Sequence, residues 1–439
     1  MNGKSLYPFQ QYGVRWLALQ RAALLADEMG LGKTVQVLLS LGRGPILVLC
    51  PAIAIGTWER ESRLWRLDLL PHVQARKTFA IGKPPVLTLC SYDSLPPNLA
   101  PPQGLTLIGD EAHYLKNSRS RRAQNFRILA DRTLAGGGRV ILLTGTPLLN
   151  KPQELWNVLR AANLAHKAFG SWEHFVELFG GTEVPVFVKK KPDAPKGPPE
   201  TRTVLKWTIA SPEVRPLLGK VMLRRTRAEV LPDLPGKTYN TLTALLDPET
   251  LKACALHLSL LREGEPLDVF WARLHEEATF EVMSTLAERL AVAKIPSLLR
   301  HVESFEEQEE TLVVLSMHRK PIEALARRPG WASILGGDSA DSRVLKIEML
   351  QKGVLKGLAG TLGALGTSAT LTAAAHVLFV SRSWVPEVNA QAEDRLARIG
   401  QTRGVVVHDL TSSHPLDARL SEVLREKTRL VASVFGVKS

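Results

Sequence analysis

Asp27-Glu28-Met29-Gly30-Leu31-Gly32-Lys33-Thr34 is the stretch of this sequence best suited to chemistry. Glycines let successive backbone N–H groups wrap a triphosphate, and a helix starting behind them adds positive potential. Lys33 has the reach to meet β- and γ-phosphates, and the Thr34 hydroxyl can coordinate Mg²⁺. Asp27 stands where G-x-x-x-x-G-K-[ST] has its first glycine. Downstream, Asp110-Glu111-Ala112-His113 closes a hydrophobic run. Asp110 suits a Mg²⁺ ion held through water, and Glu111 suits orienting or deprotonating an attacking water. The hydroxyls of Thr144 and Thr146, in Leu143-Thr144-Gly145-Thr146-Pro147, are candidates for coupling that site to a second lobe, and His113 for bridging to them. Arg395 and Arg398, in the run 391–401, are three apart and expected on one helical face. Aimed at a γ-phosphate, two guanidinium groups would neutralise transition-state charge. A salt-bridged surface helix is the competing reading, given Glu393 and Asp394.

These residues need elements to hold them. Leu24-Leu25-Ala26, Ile46 to Cys50, Val86 to Cys90, Leu105 to Ile108 and Val140 to Leu143 are short apolar runs separated by helical stretches. That alternation predicts a parallel sheet covered on both faces. Such sheets carry their functional loops at the carboxyl ends of the strands, where each motif above falls. Val188 to Pro199, with Lys189-Lys190-Lys191, reads as a solvated loop, and a helical stretch is expected toward Arg224-Arg225. Leu251 to Leu261 and Trp271 to Leu290 have helical periodicity. Further apolar runs at 312–315, 332–335, 377–380 and 405–407 precede a closing helix from Leu416 to about Val434. The expected organisation is an α/β lobe over 1–164, a helical insertion and linker over 165–290, and a second α/β lobe over 291–439.

Composition narrows the partners. A formal net charge of +13 favours a polyanion such as nucleic acid. No apolar stretch has the length of a membrane span, and the N-terminus is expected to carry no signal peptide. Cys50, Cys90 and Cys254 form no Cys-x-x-Cys pair, which fits a reducing compartment and no zinc site. His113 and His318 have no second ligand at metal spacing. Trp58, Trp172 and Trp384 could stack on bases, although packing is the commoner use of tryptophan.

In their order, these motifs resemble the Snf2-type branch of superfamily 2 helicase-like ATPases, from Leu6 to about Leu430. Leu6 to Val14 resembles the adenine-reading segment of that family, with Gln10 as reader. Leu223-Arg224-Arg225-Thr226, Leu234-Pro235-Gly236-Lys237, Gly337 to Arg343 and Arg398-Ile399-Gly400-Gln401 resemble further hallmarks. Ala293 to Ser297 and Gln391 to Arg395 look most like the annealing-helicase, fork-remodelling group. The resemblance implies two tandem RecA-like lobes with a helical Snf2-type insertion, the motor core alone, using ATP and Mg²⁺. It implies a monomeric translocase on double-stranded or branched DNA, cytoplasmic in a bacterial or phage-infected cell and nuclear in a eukaryote. It also implies that Gln391 couples the lobes, and that DNA contacts come from Pro51, Trp58, Ser91, Tyr92, Arg343, Thr367 and Trp384. Two stretches depart from the family pattern: Gly366 to Thr372 has Ser368 at the second glycine, and Trp384-Val385-Pro386 has Val385 for asparagine. A DEAH-like strand-separating DNA or RNA helicase and a catalytically silent DNA-binding scaffold are the alternative readings.

Overall fold

The computed structural model describes residues 5–74, 79–147, 151–188, 200–208, 210–232, 236–246, 249, 280–365, 370–398 and 400–435. The chain divides into two compact units, Met1–Thr226 with Glu426–Ser439, and Arg227–Arg425.

The first unit is built on a parallel sheet of β1 (Ala22–Leu25), β2 (Ile46–Cys50), β3 (Leu70–Val73), β4 (Val86–Ser91), β5 (Thr106–Gly109) and β6 (Arg139–Leu143). Alternate strand residues enter two separate cores. Leu24, Leu47, Leu49, Leu107 and Leu142 line one face, and Ala23, Leu25, Val48, Ile108 and Ile141 line the other. Helices cover both faces, which is why the strands read as continuous apolar runs.

The stretch after residue 164 holds strands as well as helices. Helices Leu164–Phe169 and Trp172–Leu178 lead into an antiparallel pair, β7 (Thr182–Val188) and β8 (Glu200–Lys206). The helix expected toward Arg224-Arg225 is only Val214–Gly219, and Met222–Leu223 forms β9, a seventh strand beside β1. The order across this sheet is β3-β4-β2-β5-β6-β1-β9. Among the described residues, this stretch therefore holds strands where only helices were expected. The alternating residues of Thr182–Val188 suit a strand period, and β9 gains its place by pairing rather than by pattern. The lysine run 189–191 and the helical stretches at 251–261 and 271–279 lie outside the described residues.

The second unit has its own parallel sheet: β10 (Lys237–Thr243), β11 (Leu312–Ser316), β12 (Trp331–Ile334), β13 (Gly357–Thr361), β14 (His376–Phe379) and β15 (Val405–Thr411). Their order is β10-β15-β14-β11-β13-β12. Val313, Leu315, Val377 and Val407 face one core, and Leu312, Val314, Leu378 and Leu410 the other. The helix Pro415–Phe435 closes the chain. Among the described residues, no helix is long and apolar enough to cross a membrane.

Candidate active site

In the first unit every strand of the sheet is parallel, so the loops after β1, β2, β4, β5, β6 and β9 emerge at one edge. The loop after β1 turns through Gly30 and Gly32, at φ 83° and 73°, into the helix Lys33–Ser40. A Cβ on Gly32 would meet Gln10 Nε2 at 2.5 Å and displace that side chain, and the positive φ itself favours glycine. Gln10 donates to the Leu31 carbonyl at 3.2 Å and accepts from the Tyr7 N–H at 3.1 Å, which fixes it beside the loop.

Lys33 Nζ donates to the carbonyls of Asp27 (2.9 Å) and Glu28 (3.3 Å). Burial holds its pKa below the ordinary lysine range, although Glu111, Asp27 and Asp110 act the other way. Gly145 packs against this group: a Cβ there would be 2.6 Å from Met29 Cγ and 3.4 Å from Lys33 Nζ. Thr144 and Thr146 bracket that glycine, with the Thr146 N–H donating to Thr144 Oγ1 at 3.1 Å. Thr34 is half-buried at the second position of the helix.

Asp27 has a different role from the glycine whose place it takes. Its side chain is fully buried. Arg225 donates to both carboxylate oxygens, through Nε at 2.9 Å and through Nη2, and Gln36 Nε2 donates at 3.1 Å. Arg225 also donates to the Phe9 carbonyl. The Asp27 side chain is thus a strut between the phosphate loop and the segment after β9. Arg224 Nη1 donates to the Ala26 carbonyl at 2.9 Å.

After β5, Asp110 Oδ2 accepts from Trp58 Nε1 at 2.8 Å and Oδ1 from the Glu111 N–H at 2.9 Å. The Tyr92 hydroxyl donates to the Asp110 carbonyl at 2.8 Å. Burial first, and Glu111 second, raise Asp110 to about 6, opposed by Trp58, the Glu111 N–H and Lys33. Glu111 sits at φ 49°, ψ 54°, left-handed backbone that is uncommon for a non-glycine residue and typical of functional turns. His113 Nδ1 lies 3.2 Å from Glu111 Oε2. The loop glycines, Lys33 and this carboxyl pair belong to one loop edge and can hold a nucleoside triphosphate. Lys33 offsets the burial of Asp110 only in part, and a Mg²⁺ ion would supply further positive charge.

In the second unit, the helix Pro386–Glu393 contains Gln391 but stops before Arg395 and Arg398. Both arginines follow in turns, so the expectation that they share a helical face is corrected. Arg395 is nearly buried, and Arg398 Nη1 donates to Thr370 Oγ1 at 3.0 Å. Glu393 and Asp394 are buried, not a surface pair. Lys237 Nζ binds both, at 3.0 and 2.6 Å, while Arg382 binds Glu393 at 2.8 Å and Asp409 at 2.5 Å.

Three of the expected DNA contacts are corrected by burial. Trp58 is 0% exposed, Tyr92 is 3% exposed, and Pro51 is buried, so none offers a side chain to a duplex. Trp58 and Tyr92 instead hold Asp110 in place. Ser91 Oγ is 2.8 Å from Ser94 Oγ, and Arg343 Nη2 donates to the carbonyls of Leu335 and Gly336. Trp384 lines a small cavity with Lys294, His318 and Arg382, and Trp172 stacks in an aromatic cluster with Phe175 and Trp156. Thr367, Ser368 and Ile399 lie outside the described residues. The struts Arg225, Trp58 and Tyr92 were not assigned from sequence, because only the fold supplies their partners.

A family profile described as the SNF2-related domain matches residues 9–79 and 91–260. The chain is 28% identical over 460 residues to a Mus musculus protein named DNA annealing helicase and endonuclease ZRANB3, covering 98% of this chain and 41% of that one. It is likewise 28% identical over 458 residues to the Drosophila melanogaster SWI/SNF-related matrix-associated actin-dependent regulator of chromatin subfamily A-like protein 1, covering 98% of this chain and 56% of the relative. The chain thus spans about half the length of these relatives. A solved Sulfolobus solfataricus SWI2/SNF2 ATPase core in complex with dsDNA matches with TM-score 0.44 and 22% identity, over 96% of this chain and 91% of that one.

Proposed function

The chain belongs to the SNF2-related family, and from that premise we propose that it is an ATP-driven motor on duplex DNA. The observation that carries this reading is the joint construction of the phosphate loop and the acidic pair at one edge of the first sheet. Gly30 to Thr34 offer N–H groups and Lys33 a cation to the triphosphate. Thr34 and Asp110 would hold Mg²⁺, which when bound neutralises charge on the phosphate oxygens. Glu111 orients and deprotonates the attacking water. Gln10, already pinned beside the loop, reads the adenine. Arg395 and Arg398 stabilise the charge that develops on the transferred phosphoryl group. Because they belong to the second unit, hydrolysis depends on closure of the two lobes, and Gln391, His113, Thr144 and Thr146 couple closure to chemistry. The lobes are proposed as residues 1–164 and 291–439, with 165–290 as an insertion and linker that adds β9 to the edge of one sheet and β10 to the edge of the other.

DNA is gripped through its backbone, in keeping with the net charge of +13. Ser91, Arg343, Thr367 and Trp384 remain proposed contacts. The name of one relative, an annealing helicase, supports rewinding of branched or unpaired duplexes as the task. ATP hydrolysis with blunt duplex, single-stranded DNA and RNA tests the motor reading. Duplex is expected to stimulate most; stimulation by RNA or single strands alone overturns it. Glu111→Gln is expected to keep ATP binding and lower kcat by about 10²–10⁴-fold. A wild type with no turnover on any polynucleotide would leave only a DNA-binding scaffold.

A further inference from the structure

A cation that the proposed chemistry does not use sits at the root of the phosphate loop. β9 pairs with β1 so that Met222 lies opposite Leu24 and Leu223 opposite Leu25. Strand alternation then sends Arg224 to the face of Met222 and Leu24, which is the face whose core also receives Val434 and Phe435. From there Arg224 Nη1 reaches past the end of β1. It donates to the Ala26 carbonyl at 2.9 Å and to the Gly145 carbonyl at 3.3 Å. One group thus ties the loop after β1 to the loop after β6. Both oxygens converge on the one nitrogen, and without it their partial negative charges would repel.

The tie bears on Lys33. A Cβ at Gly145 would stand 3.4 Å from Lys33 Nζ and 2.6 Å from Met29 Cγ, so the Gly145 main chain is the wall against which the lysine rests. Beneath the tie lies an aromatic ring. Arg224 Cζ is 4.5 Å from the centroid of Phe435, and a planar cation over an aromatic face is held in orientation as well as in place. Phe435 is itself fixed. Leu430, Val431, Val434 and Phe435 recur at helical spacing, and their stripe packs into the core with Met222. Val434 is fully buried, and Ser433 Oγ accepts from the Ala210 N–H at 3.3 Å. This end of the closing helix belongs to the first unit, as do Arg224, Gly145 and Lys33.

We infer that Arg224 is a positioning residue for Lys33, acting through Gly145, and that Phe435 orients the Arg224 guanidinium for that task. The inference rests on the proposed nucleotide site, in which Lys33 meets the β- and γ-phosphates. It gives the last turn of the closing helix a part in nucleotide affinity. Lys33 touches phosphate in the bound ground state and in the transition state alike. Misplacing it therefore weakens binding and leaves turnover of bound ATP nearly as it was. Gln10, which reads the base, is held instead by Leu31 and Tyr7.

Binding of ADP and of AMP to the full chain, with Mg²⁺ present, tests this. AMP lacks the phosphates that Lys33 reaches. Arg224→Gln is expected to weaken ADP binding about tenfold and AMP binding by less than about twofold. The KM for ATP should rise with the loss of ADP affinity, while DNA-stimulated kcat falls by less than about threefold. Phe435→Leu keeps an apolar side chain and removes the ring. It should weaken ADP binding about threefold, again sparing AMP. Added to Arg224→Gln, Phe435→Leu should cost nothing further, because its effect passes through the guanidinium. Should Arg224→Gln fail to fold, the milder Phe435→Leu makes the ADP–AMP comparison by itself. Equal losses for ADP and AMP would mean a general loosening of the unit and overturn the assignment. So would an unchanged ADP affinity in Arg224→Gln, or a Phe435→Leu loss of the same size in both backgrounds. ADP binding that depends on Arg224, in a protein without DNA-stimulated turnover, would instead sink the motor reading and leave the role of Arg224 standing.

Discussion

The two halves of the proposed chemistry are held in opposite ways. The phosphate loop in the first unit is local: eight consecutive residues, two of them glycines at positive φ, with the functional lysine bonded to carbonyls of its own loop. The arginine turn in the second unit is held from a distance. Its clamp draws Arg227, Lys237, Tyr239, Arg382 and Asp409 from four separate stretches of chain. A loop that must wrap a ligand needs backbone donors, which a short glycine pattern encodes. A pair of charges that must sit still needs other charges around it, and those can come from anywhere in the sequence.

The largest expected effect probes that contrast directly. Arg398→Ala should lower DNA-stimulated kcat by about 10³-fold or more while ATP affinity changes little, as for a residue acting only on transition-state charge. Loss of ATP affinity with kcat preserved would remove Arg398 from that role. Single-turnover and steady-state ATPase assays, with a nucleotide-binding titration, separate the two.

Next comes the clamp itself. Lys237→Ala leaves Glu393 and Asp394 buried with one cation fewer, and breaking a buried pair in this way costs about 3–5 kcal/mol. Denaturant melts of the second unit should show that loss. A cost under about 1 kcal/mol would place the network among exposed pairs of small effect.

This asymmetry also explains what the sequence made legible. Apolar strand runs marked β1, β2, β4, β5, β6, β11, β12, β14 and β15, because burial on both faces leaves a continuous hydrophobic signature. It did not mark β3, whose exposed Leu70 and Val73 sit at a sheet edge, nor β9 and β10, whose polar or short sequences become strands only through their neighbours. Lys33, Thr34, Asp110 and Glu111 were legible as candidates because their spacing follows from strand-turn geometry. The role of Asp27 was hidden, since the partner that buries it lies at Arg225. The placement of Arg395 and Arg398 was misread as helical for the same reason: the turn after Glu393 is shaped by Arg227 and Lys237, not by local periodicity.

Titration should split the units with opposite signs. Asp110 is raised to about 6 in the fold, above an ordinary aspartate near 3.9. Between those values the native state holds a proton the unfolded chain lacks, so this group favours the first unit increasingly as pH falls from about 6 to 4. His408 is lowered to about 4, by burial first and then by His376 and His301, and His414 to about 4 by burial against Asp417. Below about 6.5 the unfolded chain protonates these imidazoles while the fold does not, so they disfavour the second unit over the same window. Site-resolved hydrogen exchange at pH 7 and pH 5 should show protection falling in β14 and β15 relative to β5. Parallel changes in the two sheets would contradict the assignment. His408→Phe should flatten the response of the second sheet.

The smallest effect separates a strut from a DNA contact at Trp58. Trp58→Phe keeps most of the buried ring and deletes the N–H that Asp110 Oδ2 accepts at 2.8 Å. That bond lowers the Asp110 pKa, so its loss should raise the group further. A hydrogen bond to a charged group is worth about 1.5–3 kcal/mol, but the smaller ring also relaxes, so the expected upward shift is about one pH unit. Mg²⁺ competes with the proton for Asp110. Mg–ATP binding, already expected to weaken as pH falls through about 6, should therefore weaken at a higher pH in Trp58→Phe. Duplex affinity at pH 8 and its salt dependence should be unchanged, because a fully buried indole releases no counterions. If duplex binding weakens while the acid limb of Mg–ATP binding stays in place, the indole reaches DNA in a rearranged state and its contact with Asp110 is incidental.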